Sequence, residues 1–271
     1  RTMKEGKSGK LITVPTQLAA SGAMEREYIV TIKTEYGDIK AILKEKTREH
    51  KENFVKLARE NYFDSTLFHR VIEDFILQGG EPNSKNTLSG TPLGNGGPGY
   101  TIPAEFNQDL FHVKGSLSAA RQSDSVNPEK ESSGSQFYIV QGKTWTKDEL
   151  TTDQNKLNRA VQQCMARGDQ DSIRQILMSI YQNDGPEAYG KKINEMKDYF
   201  ANVMQVNLDK SIAPERLDDY TTIGGTPHLD DEYTVFGKVI DGLDIIDKIA
   251  EQPTHRRDKP NQNIMITMEV K

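Results

Sequence analysis

Cysteine and long apolar runs are both scarce in this sequence, and each shortage excludes a class of protein. The 271 residues include one cysteine, Cys164, so neither an internal disulfide nor a cluster of metal-binding thiolates can form. We expect Cys164 to fill space in a core. No stretch approaches the roughly 18 apolar residues of a spanning helix. Residues 1–7 also lack the apolar segment of a signal peptide.

Positive charge and metal-ligand patterns are also in short supply. Lys and Arg number 35 against 40 Asp and Glu, which gives a formal net charge of -5. Nucleic-acid binders usually carry a basic patch on a basic domain, so we expect no nucleic-acid partner. The histidines show no ligand spacing such as H-x-x-x-H, and we expect no metal and no cofactor. They are His50, His69, His112, His228 and His255.

The first half of the chain shows mainly the sequence patterns typical of β-strands. Residues 1–26 lack a sustained period and indicate an irregular arm, with a short ordered piece at 11–14. Apolar residues then alternate over 28–43 around Tyr36-Gly37-Asp38, which predicts a hairpin. Helical spacing over 47–61 predicts a helix on that sheet. Short apolar runs between Gly, Pro and Asn clusters over 67–140 indicate several more strands.

A helical block follows, and then the strand pattern returns. Thr146-Lys147-Asp148-Glu149 has the form of a capping box, and three amphipathic helices are predicted downstream of it. After residue 223, alternation over 233–239, a short helix over 243–250 and alternation over 264–270 indicate sheet again. Sheet at both ends predicts one barrel closed by its terminal strands, with the block at about 144–220 inserted into it.

Several motifs occur in the order found in one known family. They are Leu67-Phe68-His69-Arg70-Val71-Ile72, Phe75, Gln78-Gly79-Gly80, Gly134-Ser135-Gln136-Phe137-Tyr138-Ile139 and Val235-Phe236-Gly237-Lys238-Val239. The chain resembles the cyclophilin-type peptidyl-prolyl cis-trans isomerases over about 28–142 and 223–270. The resemblance implies a mainly β fold: a closed eight-stranded antiparallel barrel with two capping helices. Residues 27–271 would form this domain, interrupted by the helical insertion.

The chemistry of such an enzyme needs neither a nucleophile nor a cofactor. Rotation about a peptide bond loses amide resonance, which opposes it with a barrier of about 18–20 kcal/mol. A site lowers that barrier by binding the twisted amide better than either planar isomer. A donor aimed at the prolyl nitrogen would do so, because the lone pair of that nitrogen appears as resonance is lost. Arg70 is the candidate, since its guanidinium stays charged and offers a fixed fork of donors.

The resemblance also implies the other site residues. Gln78 would hold Arg70 and the substrate backbone, and it is predicted as catalytic together with Arg70. The proline pocket and its rim would be formed by Phe75, Ile76, Ala120, Arg121, Gln136, Tyr138, His228, Leu229 and Tyr233. In the family, Asn is common at the position of Arg121, Trp at that of His228, His at that of Tyr233 and Met at that of Ile76. The missing Trp predicts weak inhibition by cyclosporin.

Two features that could suggest a catalytic base or a dinucleotide site are interpreted as structural. His69 lies beside Arg70, yet the reaction moves no proton, so we expect a structural residue packed or hydrogen-bonded beneath the loop. Residues 94–99 satisfy G-x-G-x-x-G, the pattern of a dinucleotide site. A phosphate-binding turn must lead into a helix, whereas Tyr100-Thr101-Ile102-Pro103 indicates extended chain. We therefore expect a glycine loop bordering the groove.

The expected partners are proline-containing peptides and unfolded proteins, and the expected state is a monomer. Alternatives are a module that binds proline segments or acts as a chaperone without turnover, and a scaffold whose function resides in the helical block. The chain begins with Arg1 and not with Met, so a signal or lipid anchor could have preceded it. A bacterial cell envelope or periplasm is the preferred location, with the cytoplasm as the alternative.

Overall fold

The computed structural model describes residues 27–86 and 92–271. The arm predicted at 1–26, with its ordered piece at 11–14, lies outside them. The strands are β1 (Ile29–Thr34), β2 (Gly37–Leu43), β3 (Thr66–Leu67), β4 (Arg70–Ile72), β5 (Ile76–Gly79), β6 (Thr101–Ile102), β7 (Ser116–Ala119), β8 (Ser132–Ser133), β9 (Phe137–Val140), β10 (Val235–Asp241), β11 (Thr254–His255), β12 (Lys259–Pro260) and β13 (Met265–Val270). The helices are α1 (Arg48–Arg59), α2 (Lys147–Leu150), α3 (Gln154–Met165), α4 (Asp171–Glu195), α5 (Lys197–Met204), α6 (Pro214–Thr222) and α7 (Leu243–Ala250).

The two ends of the β domain pair with each other, as the sequence predicts. β1 and β2 form the antiparallel hairpin, with Ile32 opposite Ile39. β1 also pairs antiparallel with β13, with Ile32 opposite Met268. All three side chains are buried in one core, because alternation along each strand sends every second residue to the same face. The terminal strands therefore lie side by side, second and third from one edge of the sheet.

The main sheet has nine strands in the order β3-β13-β1-β2-β10-β7-β9-β5-β4. The mainly β class is confirmed, but the sheet is curled, and no ladder joins edge strand β3 to edge strand β4 within the described residues. The sheet therefore has nine strands where eight were expected. No backbone ladder between described residues joins its two edges, and we call the gap between them the seam. Only Phe68 and His69 separate the two edges along the chain. The Phe68 N–H donates to Ile264 on one side and the His69 N–H donates to Gln78 on the other, so the chain itself crosses the seam.

Two helices cover the core, as predicted. Phe54 and Leu57 of α1 and Ile245 and Ile249 of α7 are buried in the same cluster as the apolar residues of β1, β2 and β9. Each of these helices carries its apolar residues at spacings of three and four, so one face packs on the sheet while charged residues face water. The helix predicted over 47–61 is α1, and the helix predicted over 243–250 is α7.

The helical block contains more helices than the sequence predicts. Thr146 forms the predicted capping box with Glu149 at the start of α2. Helices α3, α4 and α5 share a core of their own, in which Cys164 is buried as expected. Gly185 has a φ of 87° and breaks the helical backbone within α4. Helix α6 was not predicted, because nine residues with few apolar side chains give too little periodicity to detect.

The α3–α5 unit is attached through a narrow neck. Thr152 forms an antiparallel bridge with Asp209. Backbone hydrogen bonds on either side of the bridge join Asp153 to Leu208 and Lys210 to Thr151. The unit thus leaves and rejoins the rest of the chain at adjacent points. No helix among the described residues is long and apolar enough to cross a membrane.

Candidate functional site

The pairing register sets the predicted catalytic residues in one row across the outer face of the sheet. Arg70 on β4 lies opposite Gln78 on β5, and Gln78 lies opposite Tyr138 on β9. The residues one position away, Val71, Leu77 and Ile139, join the main core on the inner face. Opposite residues on neighbouring strands have Cβ atoms about 4.5–5.5 Å apart, so the row is a continuous line of contacts.

An apolar cluster lies beside this row, where the sequence predicts the proline pocket. Its buried residues are Ile76, Ala120, Tyr138 and Val140, with Phe75, Leu229 and Tyr233 packed against them. The cluster is separate from the main core, because alternation along β5 and β9 gives each strand one set of side chains for each face. The ring of Tyr138 meets that of Tyr233 edge to face, with centroids 5.9 Å apart. The predicted pocket residues in this cluster are therefore brought together, although they come from four separate parts of the sequence.

His228 forms one edge of the pocket. The residue is exposed, and its ring stacks on Phe75 with a centroid distance of 5.4 Å and an interplanar angle of 19°. Burial of part of the ring and the neighbouring His112 lower the pKa of His228. A neutral imidazole at the rim extends the aromatic wall but leaves it smaller than an indole would.

Arg70 is held in place but keeps donors available. Its Nη1 lies 3.4 Å from Gln78 Oε1, and its Nε lies 3.4 Å from Asp258 Oδ2. The side chain is 38% exposed, and no hydrogen bond within the described residues uses Nη2. A guanidinium has five N–H donors, so at least the Nη2 pair is open towards the groove.

A buried carboxylate anchors the other end of the row. Gln78 Nε2 donates to Gln136 Oε1 at 3.0 Å, and Gln136 Nε2 donates to Glu81 Oε2 at 3.1 Å. Glu81 is fully buried and also accepts from the backbone amides of Gly94 and Gly96, each at 2.8 Å. This chain of amides fixes Gln78 and, through it, Arg70.

The glycine loop at 94–99 binds a carboxylate of the protein itself and not a phosphate. Its amides bind the Glu81 carboxylate, and the chain continues into strand β6 and not into a helix. The dinucleotide interpretation is therefore excluded, as expected. A side chain at Gly96 would collide with the Glu81 carboxylate, so this close approach requires glycine.

The structure refines the expectation for Ala120 and Arg121. The Ala120 amide donates to Gln136 and its carbonyl accepts from Ser133. Within the described residues no backbone hydrogen bond engages Arg121, so its main chain is the one free to pair with a substrate. The Arg121 side chain is 5% exposed and forms ion pairs with Asp124 and Glu232. It lies over the Tyr233 ring at 4.6 Å, so its charge does not project into the groove.

Tyr138 is connected through the protein to the helical block. His112 Nε2 lies 2.9 Å from the Tyr138 hydroxyl, and His112 Nδ1 lies 3.0 Å from Asp230 Oδ1. Because a carboxylate only accepts, the proton is assigned to Nδ1 and the tyrosine hydroxyl donates to Nε2. The Tyr220 hydroxyl and Arg216 Nη1, both on α6, reach Asp230 Oδ2 at 2.7 and 3.2 Å. Burial, followed by the Asp230 charge, raises the pKa of Tyr220.

Sequence reasoning missed four residues that support the site. Glu81, Asp230 and Asp258 were not considered, and His112 was noted only for lacking a metal-ligand spacing. Each acts through a partner distant in the sequence, such as the 118 positions between His112 and Asp230. No local period marks such contacts. Among the described residues, no group of three or more His, Cys, Asp or Glu side chains could hold a metal ion.

Comparison with known families agrees with this geometry. The family model described as "Cyclophilin type peptidyl-prolyl cis-trans isomerase/CLD" matches residues 29–158 and 148–270. The chain belongs to the cyclophilin-type peptidyl-prolyl cis-trans isomerase family. The two matched segments together contain every predicted site residue of this cyclophilin, from Arg70 to Tyr233.

Curated relatives and a solved structure are similar to this cyclophilin. A putative bifunctional phosphatase/peptidyl-prolyl cis-trans isomerase of Streptococcus pyogenes is 29% identical over 89% of the chain, which spans only 38% of that relative. A putative peptidyl-prolyl cis-trans isomerase of Staphylococcus aureus is 29% identical over 79% of the chain and 76% of the relative. A crystal structure of a Cryptosporidium parvum cyclophilin type isomerase matches with a TM-score of 0.51 and 20% identity, covering 91% of this chain and 98% of that one. This likeness shows the cyclophilin-like fold.

Proposed function

We propose that this cyclophilin catalyses cis-trans rotation of X-Pro bonds in peptides and in unfolded or partly folded proteins, and so assists folding. The observation that supports this most directly is the placement of Arg70, which has open donors beside a separate apolar pocket. A module that only gripped proline would need the pocket but not a held guanidinium. Membership of the family supports the same activity.

The proposed mechanism uses position and hydrogen bonding alone. The pyrrolidine ring packs among Phe75, Ile76 and Leu229, while the main chain of Arg121 holds the residue before proline. The Arg70 N–H groups donate to the prolyl nitrogen as its lone pair appears, and this favours the twisted amide over both planar isomers. Gln78 and Asp258 hold the guanidinium before the substrate arrives, so little reorganisation is needed.

The direct test is NMR exchange spectroscopy on a short X-Pro peptide with catalytic amounts of protein. Uncatalysed exchange takes tens of seconds or longer, so acceleration is easily detected. Catalysis that depends on Arg70 supports an isomerase. Peptide binding without faster exchange would support the binding-module alternative instead.

The proposal extends to state and location. We propose a monomer that acts on proline-containing polypeptides and not on nucleic acid, located in a bacterial cell envelope or periplasm, with the cytoplasm as the alternative. The predicted polar arm and the single cysteine are compatible with the envelope and with the cytoplasm, and the curated relatives named above are bacterial. Light scattering in solution and fractionation of the native host test these two statements.

Residues 144–220 are proposed to be an insertion that influences which polypeptides enter the groove. The neck permits a clean test: residues 154–207 are replaced by a short Gly-Ser linker, which leaves α2, α6 and the Asp230 contacts intact. We expect rates on a short peptide to change less than about twofold, because the pocket residues lie outside the deleted unit. Catalysed refolding of a proline-limited protein should fall by more. Equal effects on both substrates would contradict a role in selecting substrates.

The rim residue His228 provides a prediction about inhibition. Cyclosporin should inhibit the wild-type protein only weakly, because the family's Trp at this position contributes to binding the drug. His228→Trp should strengthen inhibition by about tenfold, as expected for one added aromatic contact of about 1.4 kcal/mol. Inhibition constants from the exchange assay decide the matter. Nanomolar inhibition of the wild type would contradict the prediction.

A further inference from the structure

A concavity lies beside Arg70. It has a volume of about 610 Å³, and Arg70 and Gln78 form one wall. Asn83 and residues 92–94 form another wall, and residues 256–259 form the third. None of the apolar pocket residues lines it. Because Arg70 lines this cavity, a polypeptide bound at Arg70 would lie at the cavity.

The third wall is strongly basic. Arg256, Arg257 and Lys259 line the cavity, and no carboxylate lies within ion-pair distance of any of them in the described parts of the chain. Asp258 is the one acidic residue of the lining, and it is paired with Arg70. Three positive side chains are thus left without local compensation on a protein whose net charge is -5. Such a local surplus attracts anions against the overall charge of the molecule.

His69 adds a buried imidazole to the same lining. Its side chain is 5% exposed and lines the same cavity. Neither ring nitrogen has a hydrogen-bond partner of acceptable geometry among the residues described. Burial lowers the pKa of His69 to about 4, against the opposing effect of the nearby Glu81 carboxylate. The ring is therefore neutral near pH 7, and both of its nitrogens are buried beneath the cavity surface.

We propose that this cavity is a subsite for an anionic side chain, a carboxylate or a phosphoester, a few residues from the proline of the bound polypeptide. The cationic wall of residues 256–259 attracts the anion, and the neutral ring of His69 lies in the same lining. The subsite rests on the proposed isomerase function and adds a preference to it: X-Pro bonds flanked by acidic residues are favoured.

The test compares matched peptides that differ at one flanking position. Series with Gln, Glu, Ser or phosphoserine at each of the three positions on either side of X-Pro are assayed by NMR exchange. With the wild type, at least one position should show kcat/KM about five- to tenfold higher for the anion than for its neutral partner. That factor is the size of one or two partly exposed charge contacts. The gain should shrink as salt is raised.

Two charge-matched variants localise the effect. The double variant Arg256→Gln and Lys259→Gln should reduce the preference below about twofold, with its fold checked by thermal unfolding. The double variant Lys191→Gln and Lys210→Gln removes the same charge from exposed positions outside the cavity lining and should retain the preference. A glutamate effect and a phosphoserine effect each support the subsite and tell which anion it takes.

The failures can be told apart. No faster exchange on any peptide would overturn the proposed function. Equal rates on neutral and anionic peptides at every position, together with normal catalysis, would overturn only the subsite. Loss of the preference in both double variants would also overturn it, because the cause would then be the overall field of the protein. Competition by free inorganic phosphate at millimolar concentration would support the subsite, provided that it affects only the anionic peptides.

Discussion

Arg70→Ala is expected to lower kcat/KM for X-Pro isomerisation by about a hundred- to a thousandfold, the loss typical when one preorganised donor to a transition state is removed. The guanidinium is held by Gln78 and Asp258, so its donors face the groove before the substrate binds. An alanine leaves the apolar pocket of Phe75 and Leu229 in place. Peptide affinity should therefore change by less than about threefold while turnover falls.

Arg70→Lys is the informative companion variant. Lysine keeps the charge but cannot reproduce the planar fork, so it should recover only part of the lost rate. Exchange rates and dissociation constants measured on the same peptide by NMR separate turnover from binding. If Arg70→Ala kept more than about a third of the wild-type rate, the proposed role of this residue would be wrong. If peptide affinity fell as much as the isomerisation rate, Arg70 would contribute to binding the planar substrate and not to stabilising the twisted amide.

Asp230→Ala is expected to destabilise the folded protein by about 3–5 kcal/mol, the usual cost of removing one member of a buried ionic group. The carboxylate accepts from His112, Tyr220 and Arg216, and its side chain is 9% exposed. Alanine would leave all three donors without this partner in a low-dielectric interior. Because Asp230 orients His112 against the Tyr138 hydroxyl, the surviving folded protein should also bind proline peptides less well.

The matched control for this prediction is Asp218→Ala. Asp218 is exposed on α6, the helix that carries Arg216 and Tyr220, and its side chain forms no ion pair in the described part of the chain. Its loss should change the free energy of unfolding by less than about 0.5 kcal/mol. Tyr220→Phe should cost about 1.5–3 kcal/mol, because a single hydrogen bond to a charged group is removed. Urea unfolding followed by tryptophan fluorescence compares the three, since Trp145 packs in the cluster that contains Tyr220. Equal stability of Asp230→Ala and Asp218→Ala would contradict the importance of the Asp230 contacts.

Local pattern carried most of the fold prediction. Helices α1 and α7 and the β1–β2 hairpin have strong periodicity over eight or more residues, and the structure places all of them as expected. Helix α6 was missed because its packing is decided by two polar side chains, Arg216 and Tyr220, that reach Asp230. The number of strands and the seam at Phe68 and His69 also escaped prediction, since strands of two or three residues leave no period to read.

The sequence by itself determined the family and the pattern of strands and helices in the β domain, and it predicted Arg70 and the residues near it as the site. Those depend on contiguous motifs whose side chains alternate between two faces of one sheet. Only the tertiary structure decided that Asp258 pairs with Arg70, that a basic wall faces His69 and that α6 supports the pocket through Asp230. The physical reason is that these contacts join side chains far apart in the chain. The energy of these contacts depends on burial and charge where the side chains meet in the folded protein. Neither quantity can be deduced from the residues that are adjacent in the sequence.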